Sequence, residues 1–147
     1  MRRPELTGAA GLGVTRVCLA AIAVSMAPVG LQAAVAPRSF FEDFPFGRGW
    51  VSAEGGAFDE HLVRDVGVLF LALTVVTVWA AWRGEFVVPV AAAWLIQGVG
   101  HFAYHVGHLD GLAGIDRIGL VVSLIAIPTL AAVAIIAVAR TPARRAT

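Results

Sequence analysis

The sequence predicts an all-α integral membrane protein, a four-helix bundle with both termini in the cytoplasm. Three observations support this. The 147-residue chain is 59% hydrophobic and has a mean hydropathy of +0.81, whereas soluble domains are roughly 45–50% apolar. Four apolar runs approach the length of about 20 residues that crosses a bilayer. The arginines fall mainly on one side of these runs. Residues 1–147 are therefore expected to form a single membrane domain.

The four runs predict four spans and a long loop between the first two. The spans are expected at about residues 17–35, 60–82, 86–107 and 117–139, and the loop at residues 36–58. Pro28 and Pro128 fall inside spans, where neighbouring groups can satisfy the carbonyls that they free. The loop has six aromatic residues among Gly, Pro and acids. It is expected either to rest among lipid headgroups or to cover the mouth of the bundle as a partly ordered cap.

The first run also resembles a secretory signal. Arg2 and Arg3 precede it, and Ala34-Val35-Ala36 matches an A-x-A cleavage site. The run is long for a signal, however, and Pro37 directly follows the cleavage site. These two features favour a retained helix.

The arginines predict the orientation of the bundle. On one side of the spans lie seven arginines with only two acids, Glu5 and Glu85; the arginines are Arg2, Arg3, Arg16, Arg83, Arg140, Arg144 and Arg145. The other side has four arginines and eight acids. The positive-inside rule places the first side in the cytoplasm, so we expect a multi-pass protein of the bacterial inner (plasma) membrane.

Charge and cysteine content exclude several classes of function. The net charge is only +1, so no basic face for nucleic acid is indicated. Cys18 is the only cysteine, which excludes an intrachain disulfide, a CxxC redox pair and a thiolate metal cluster.

Polar residues recur along one face of the third predicted span. Gln97, His101, Tyr104, His105 and His108 are spaced at i, i+4, i+7, i+8 and i+11, which places all five on one side of a helix. Polar groups at this depth of a membrane are costly and commonly functional.

A second polar cluster begins the preceding span. Asp59 is a candidate N-cap, because its carboxylate can accept the free N–H groups of the first turn. The pairs Glu60–Arg64 and His61–Asp65 are each four residues apart and can interact along a helix.

The two clusters are expected to lie at the same depth, because both are about equally far in sequence from the hairpin turn near Gly84. We therefore predict a ligand pocket that opens outward. Its expected lining residues are His61, Arg64, Asp65, Gln97, His101, Tyr104 and His105, with Glu60 and His108 at its edge.

Three interpretations of this pocket stay open. A metal ion or haem could be held by His61, His101 and His105, with Asp65 as a ligand or an orienting group. Alternatively, the protein is a non-catalytic accessory subunit or binds a small lipophilic ligand such as a quinone. Finally, the polar residues could merely hold helix ends together at the headgroup layer. The sequence does not decide whether the protein is an enzyme.

The stretches FDEHLVRDVGVLFLALTVV and AAWLIQGVGHFAYHVGHL resemble those of small four-helix membrane proteins of the DoxX-like type and their uncharacterised actinobacterial relatives. This resemblance implies a membrane accessory role, beside an oxidoreductase or the quinone pool, and supplies no catalytic residues. The expected partners are the lipid bilayer and other membrane subunits or further copies of the chain.

Overall fold

The computed structural model describes residues 4–140, with side chains from residue 11 onward. This part of the chain is helical and has no β-strand. Its elements are α1 (Pro4–Val35), α2 (Pro37–Asp43), a 3-10 turn (Ser52–Glu54), α3 (Glu60–Arg83), α4 (Val87–Val106) and α5 (Gly114–Ala139). Arg2, Arg3, Arg144 and Arg145, which contribute to the predicted orientation, lie outside the described residues.

Within residues 4–140, four helices are long and apolar enough to cross a membrane, as the sequence predicted. The candidate spans are Gly11–Val35, Glu60–Arg83, Val87–Val106 and Gly114–Ala139. The first begins before the predicted residue 17, because Arg16 continues the helix instead of ending it. The expected loop 36–58 also begins as a helix, α2, since Pro37 occupies a first helical position that favours proline.

Local signals fix the ends of α3. Asp59 caps its start by accepting a hydrogen bond from the backbone N–H of Leu62 at 3.0 Å, as predicted. At its other end, Gly84 adopts a left-handed conformation with φ of 73°, and its N–H donates to the carbonyl of Ala80. A side chain would strain that conformation, so glycine permits the tight turn into α4.

The bundle is held together by very close helix contacts. α3 packs chiefly on α1, α4 packs on α5, and α1 also contacts α5. A Cβ atom added to Gly67 would overlap the backbone nitrogen of Ala34, and one added to Gly30 would lie 3.0 Å from the Cβ of Phe70. Small residues allow this close approach, and the resulting dispersion contacts stabilise helix association in lipid.

α3 and α4 meet through a hydrogen-bonded tryptophan in the interior. Trp94 is fully buried, and its Nε1 donates to Thr77 Oγ1 at 2.7 Å. The Thr77 hydroxyl in turn donates to the Leu73 carbonyl at 2.7 Å. Phe70 lies against the Trp94 ring, with 5.9 Å between centroids. Because the indole N–H is satisfied, this large ring fills the core without an unpaired donor.

We name the two ends of the bundle by their charge. The arginine end carries the turn at Gly84 with Arg16, Arg83 and Arg140. The acidic end carries residues 36–59 and 107–113.

The α1–α3 contact predicts a specific effect of added volume. Gly67→Ala should lower the free energy of unfolding by about 1–3 kcal/mol, because the new methyl group has no space. At an open helical position, by contrast, Gly→Ala stabilises a helix by roughly 1 kcal/mol. Gly100→Ala is the matched control, since a Cβ there meets nothing within 4 Å. Thermal unfolding in detergent would compare the two, and equal stability of both variants would contradict the described packing.

Candidate functional site

A portion of the long loop covers the acidic ends of α4 and α5. We call residues 44–54 the cap segment. Within it, Trp50 Nε1 donates to Asp116 Oδ1 at 2.8 Å, and Arg48 Nε donates to the same oxygen. That hydrogen bond raises the pKa of the Arg48 guanidinium. One carboxylate on α5 therefore fixes two side chains of the cap segment.

Close packing accompanies these hydrogen bonds. The Trp50 ring lies 3.0 Å from where a Cβ of Gly119 would be, and a Cβ on Gly111 would overlap the carbonyl oxygen of Ala53. A small apolar core lies beneath, formed by Leu112, Leu120 and Leu124 with Trp50, Ala53, Phe102 and Leu109 packed against it. The cap segment thus has a hydrophobic core of its own with α5 and the end of α4.

The cap segment also holds the histidine-rich end of α4. His105 Nδ1 is in contact with Glu54 Oε1, and these two side chains are only 12% and 9% exposed. The His101 ring meets the His105 ring edge to face, with 4.3 Å between centroids. Tyr104 stacks on His108 at 4.3 Å, and His108 Nδ1 donates to the Tyr104 carbonyl at 2.8 Å. Four of the predicted site residues therefore form one cluster, which is anchored through Glu54.

The deeper region of the same face is open. Within residues 11–140, the amide of Gln97, the ring nitrogens of His101 and the hydroxyl of Tyr104 take part in no hydrogen bond. Tyr104 is 57% exposed, His101 is also exposed and Gln97 is half-buried. These three side chains follow the 97, 101, 104 spacing and present donors and acceptors at the surface of the bundle.

The cluster at the start of α3 is separate. His61 pairs with Asp65 at 3.4 Å, and these side chains are 87% and 59% exposed. Arg64 pairs with Glu60 at 2.9 Å and donates to the Ala34 carbonyl of α1 at 2.6 Å. Both predicted pairs within the helix are thus present.

The expected convergence of the α3 and α4 clusters is not observed. No hydrogen bond, ion pair or ring contact in the described chain joins His61, Arg64 or Asp65 to the α4 residues. The reason is the packing of α3: its acidic end lies on α1, and Arg64 reaches the end of α1 instead of α4.

The proposed metal ligands are likewise not gathered. Among the residues that the structure describes, no group of three or more His, Cys, Asp or Glu side chains could hold a metal ion. His61 and Asp65 lie on the exposed α3 pair, and His105 is occupied by Glu54. The four-residue set His61, Asp65, His101 and His105 is therefore divided between two places.

Sequence reasoning missed the residues that fix the cap segment. The sequence pattern indicates no individual role for Arg48, Trp50, Glu54 or Asp116. The acidic and aromatic character of residues 36–58 was a signal that the loop could form a cap, but these pairs join residues 51 to 68 positions apart, which no local pattern predicts.

Comparison with protein-family models, with curated proteins and with solved structures finds no match to this chain. The character of the site is therefore inferred from its own residues. They define a helical membrane protein with a polar, histidine-rich face beside a fixed cap segment.

Removing the Asp116 carboxylate should loosen the cap segment. Asp116→Ala deletes the acceptor of both Arg48 and Trp50, so we expect trypsin to cleave after Arg48 roughly fivefold faster or more. Asp110→Ala is the matched control, because Asp110 is fully exposed and lies 3.9 Å from Arg117. Mass spectrometry of the fragments in detergent would measure both rates. Equal cleavage of the two variants would show that Asp116 does not hold the cap segment.

Proposed function

We propose that this chain is a non-catalytic, multi-pass protein of the bacterial inner membrane that binds a quinone-like lipophilic ligand on the open face of α4. The observation that carries the proposal is the unsatisfied set Gln97, His101 and Tyr104. The DoxX-like resemblance of the sequence supports the same kind of accessory role.

In a bilayer, this set of polar groups costs free energy unless a bound molecule forms hydrogen bonds with it. α4 is one of the four candidate spans, and polar groups without hydrogen bonds in an apolar medium cost several kcal/mol each. The rest of the described chain offers no hydrogen-bond partner to the amide of Gln97, the ring nitrogens of His101 or the hydroxyl of Tyr104. A ligand with its own polar atoms would satisfy them.

The chemistry of the face suits a flat ring with carbonyl groups. A quinone oxygen can accept a hydrogen bond from each of three groups on this face: the Gln97 amide, an imidazole N–H of His101 and the Tyr104 hydroxyl. From Gln97 to Tyr104 the face extends about 10 Å along the helix. The exposed apolar residues Ile96 and Val99 flank it, so an isoprenoid tail can remain among acyl chains.

The cap segment gives this face a fixed wall. Glu54 holds the His105 ring, and His105 in turn lies against His101. The orientation of His101 is thereby linked to the cap segment. Preorganised donors of this kind reduce the entropy lost on binding.

A metal or haem function is not favoured, because the proposed ligands are divided between α3 and α4. Two histidines one turn apart, His101 and His105, do not complete a protein metal site on their own. A Soret band in the absorption spectrum of the purified protein, or stoichiometric metal in its elemental analysis, would support this alternative.

The proposal predicts that a short-chain quinone binds to purified protein and that His101→Leu weakens binding about tenfold or more, because an apolar side chain removes the hydrogen bond. Titration in detergent, followed by the absorption change of the quinone, measures the affinity.

His61→Leu is the matched control. It removes a histidine from the same end of the bundle, but from the exposed pair with Asp65, and should leave the affinity unchanged. Absence of saturable binding to the wild-type protein, or an equal loss in both variants, would refute the proposal.

A further inference from the structure

A groove between α1 and α3 lies at the opposite, arginine end of the bundle. Its volume is about 350 Å³. Ala20 and Ala23 of α1 and Ala81 of α3 line it with small side chains, and Trp82 and Arg16 also line it. The wall is almost wholly apolar apart from the arginine.

Arg16 has no acidic partner in the part of the chain whose side chains the structure describes. It forms no ion pair or hydrogen bond with any residue between 11 and 140, whereas Arg83, at the same end, pairs with Glu85 at 3.9 Å. The guanidinium of Arg16 lies beside the turn, 4.0 Å from where a Cβ of Gly84 would be. It is thus level with the end of α3 and of the groove.

This combination matches one molecule of the bilayer. The small residues leave space for an acyl chain along the helices, and the exposed Trp82 has the ring typical of the membrane–water interface. A guanidinium at that level pairs well with phosphate oxygens. Basic sites between spanning helices at the cytoplasmic side bind anionic lipid headgroups in general.

We propose that the groove binds one anionic phospholipid, with its phosphate on Arg16 and an acyl chain along Ala20 and Ala23. This site is independent of the ligand face on α4, since it uses α1 and α3 at the other end of the bundle. A zwitterionic lipid lacks the net negative charge that an unpaired arginine selects.

Brominated acyl chains test the proposal, because they quench a nearby tryptophan. The protein is reconstituted in phosphatidylcholine vesicles that contain a small fraction of either brominated phosphatidylglycerol or brominated phosphatidylcholine. The difference in emission between the wild-type protein and Trp82→Phe isolates the contribution of Trp82 from that of the other three tryptophans. We expect the brominated anionic lipid to quench Trp82 about fivefold more effectively per molecule.

Two variants of the groove and one control outside it show whether the groove is responsible. Arg16→Gln should abolish the preference for the anionic lipid, whereas Arg140→Gln, at the same end but outside the groove, should preserve it. Ala20→Phe should reduce quenching by both lipids, because the exposed position lets the ring fill the groove without entering the core. Helical content measured by circular dichroism confirms that each variant is folded.

Three results would overturn the proposal. The first is equal quenching by the two brominated lipids, and the second is a preference that survives Arg16→Gln. The third is quenching that Ala20→Phe leaves unchanged, since no acyl chain would then lie in the groove.

Discussion

The close approach of α1 and α3 at Gly30 and Gly67 determines the rest of the arrangement. Because neither glycine has a side chain, the two backbones come within the distance at which a methyl group would overlap the backbone of Ala34. This contact holds the acidic end of α3 on α1, where Arg64 binds the Ala34 carbonyl. α4 meets α3 through Trp94, Thr77 and Phe70 and otherwise packs on α5. Among the described residues, no hydrogen bond, ion pair or ring contact consequently joins the polar residues of α4 beyond Trp94 to those at the start of α3.

The cap segment then divides the polar face of α4 into two regions with different properties. Asp116 fixes Arg48 and Trp50, and this brings Glu54 onto His105 at the end of the helix. The contact between His105 and Glu54 is enclosed, since these side chains are only 12% and 9% exposed. The deeper region, which contains Gln97 and His101, retains donors that the described chain does not use. In a medium without water, this difference separates a structural contact from a candidate binding surface.

The sequence predicted those features of the fold that depend on neighbours in the chain. Apolar length gave the four spans, Asp59 gave the start of α3, and the four-residue spacings gave the pairs Glu60–Arg64 and His61–Asp65. It could equally have predicted α2 from Pro37. It did not predict that the two polar clusters would be joined by no polar contact in the described chain, because matched depth does not determine which helix a face meets. That choice depends on two glycines of different spans, and the contacts of Glu54 and Asp116 depend on how the whole cap segment folds over the bundle.

Disulfide cross-linking of paired cysteines, in a Cys18→Ala background, tests the position of α3 most directly. Gly30→Cys with Phe70→Cys joins α1 to α3, where the two Cβ atoms are near the separation of a disulfide. Asp65→Cys with His101→Cys would join α3 to α4 at the acidic end. We expect oxidation in membranes to link the first pair and to leave the second pair as free thiols. Efficient linkage of the second pair without the first would place α3 against the polar face of α4 and contradict the account.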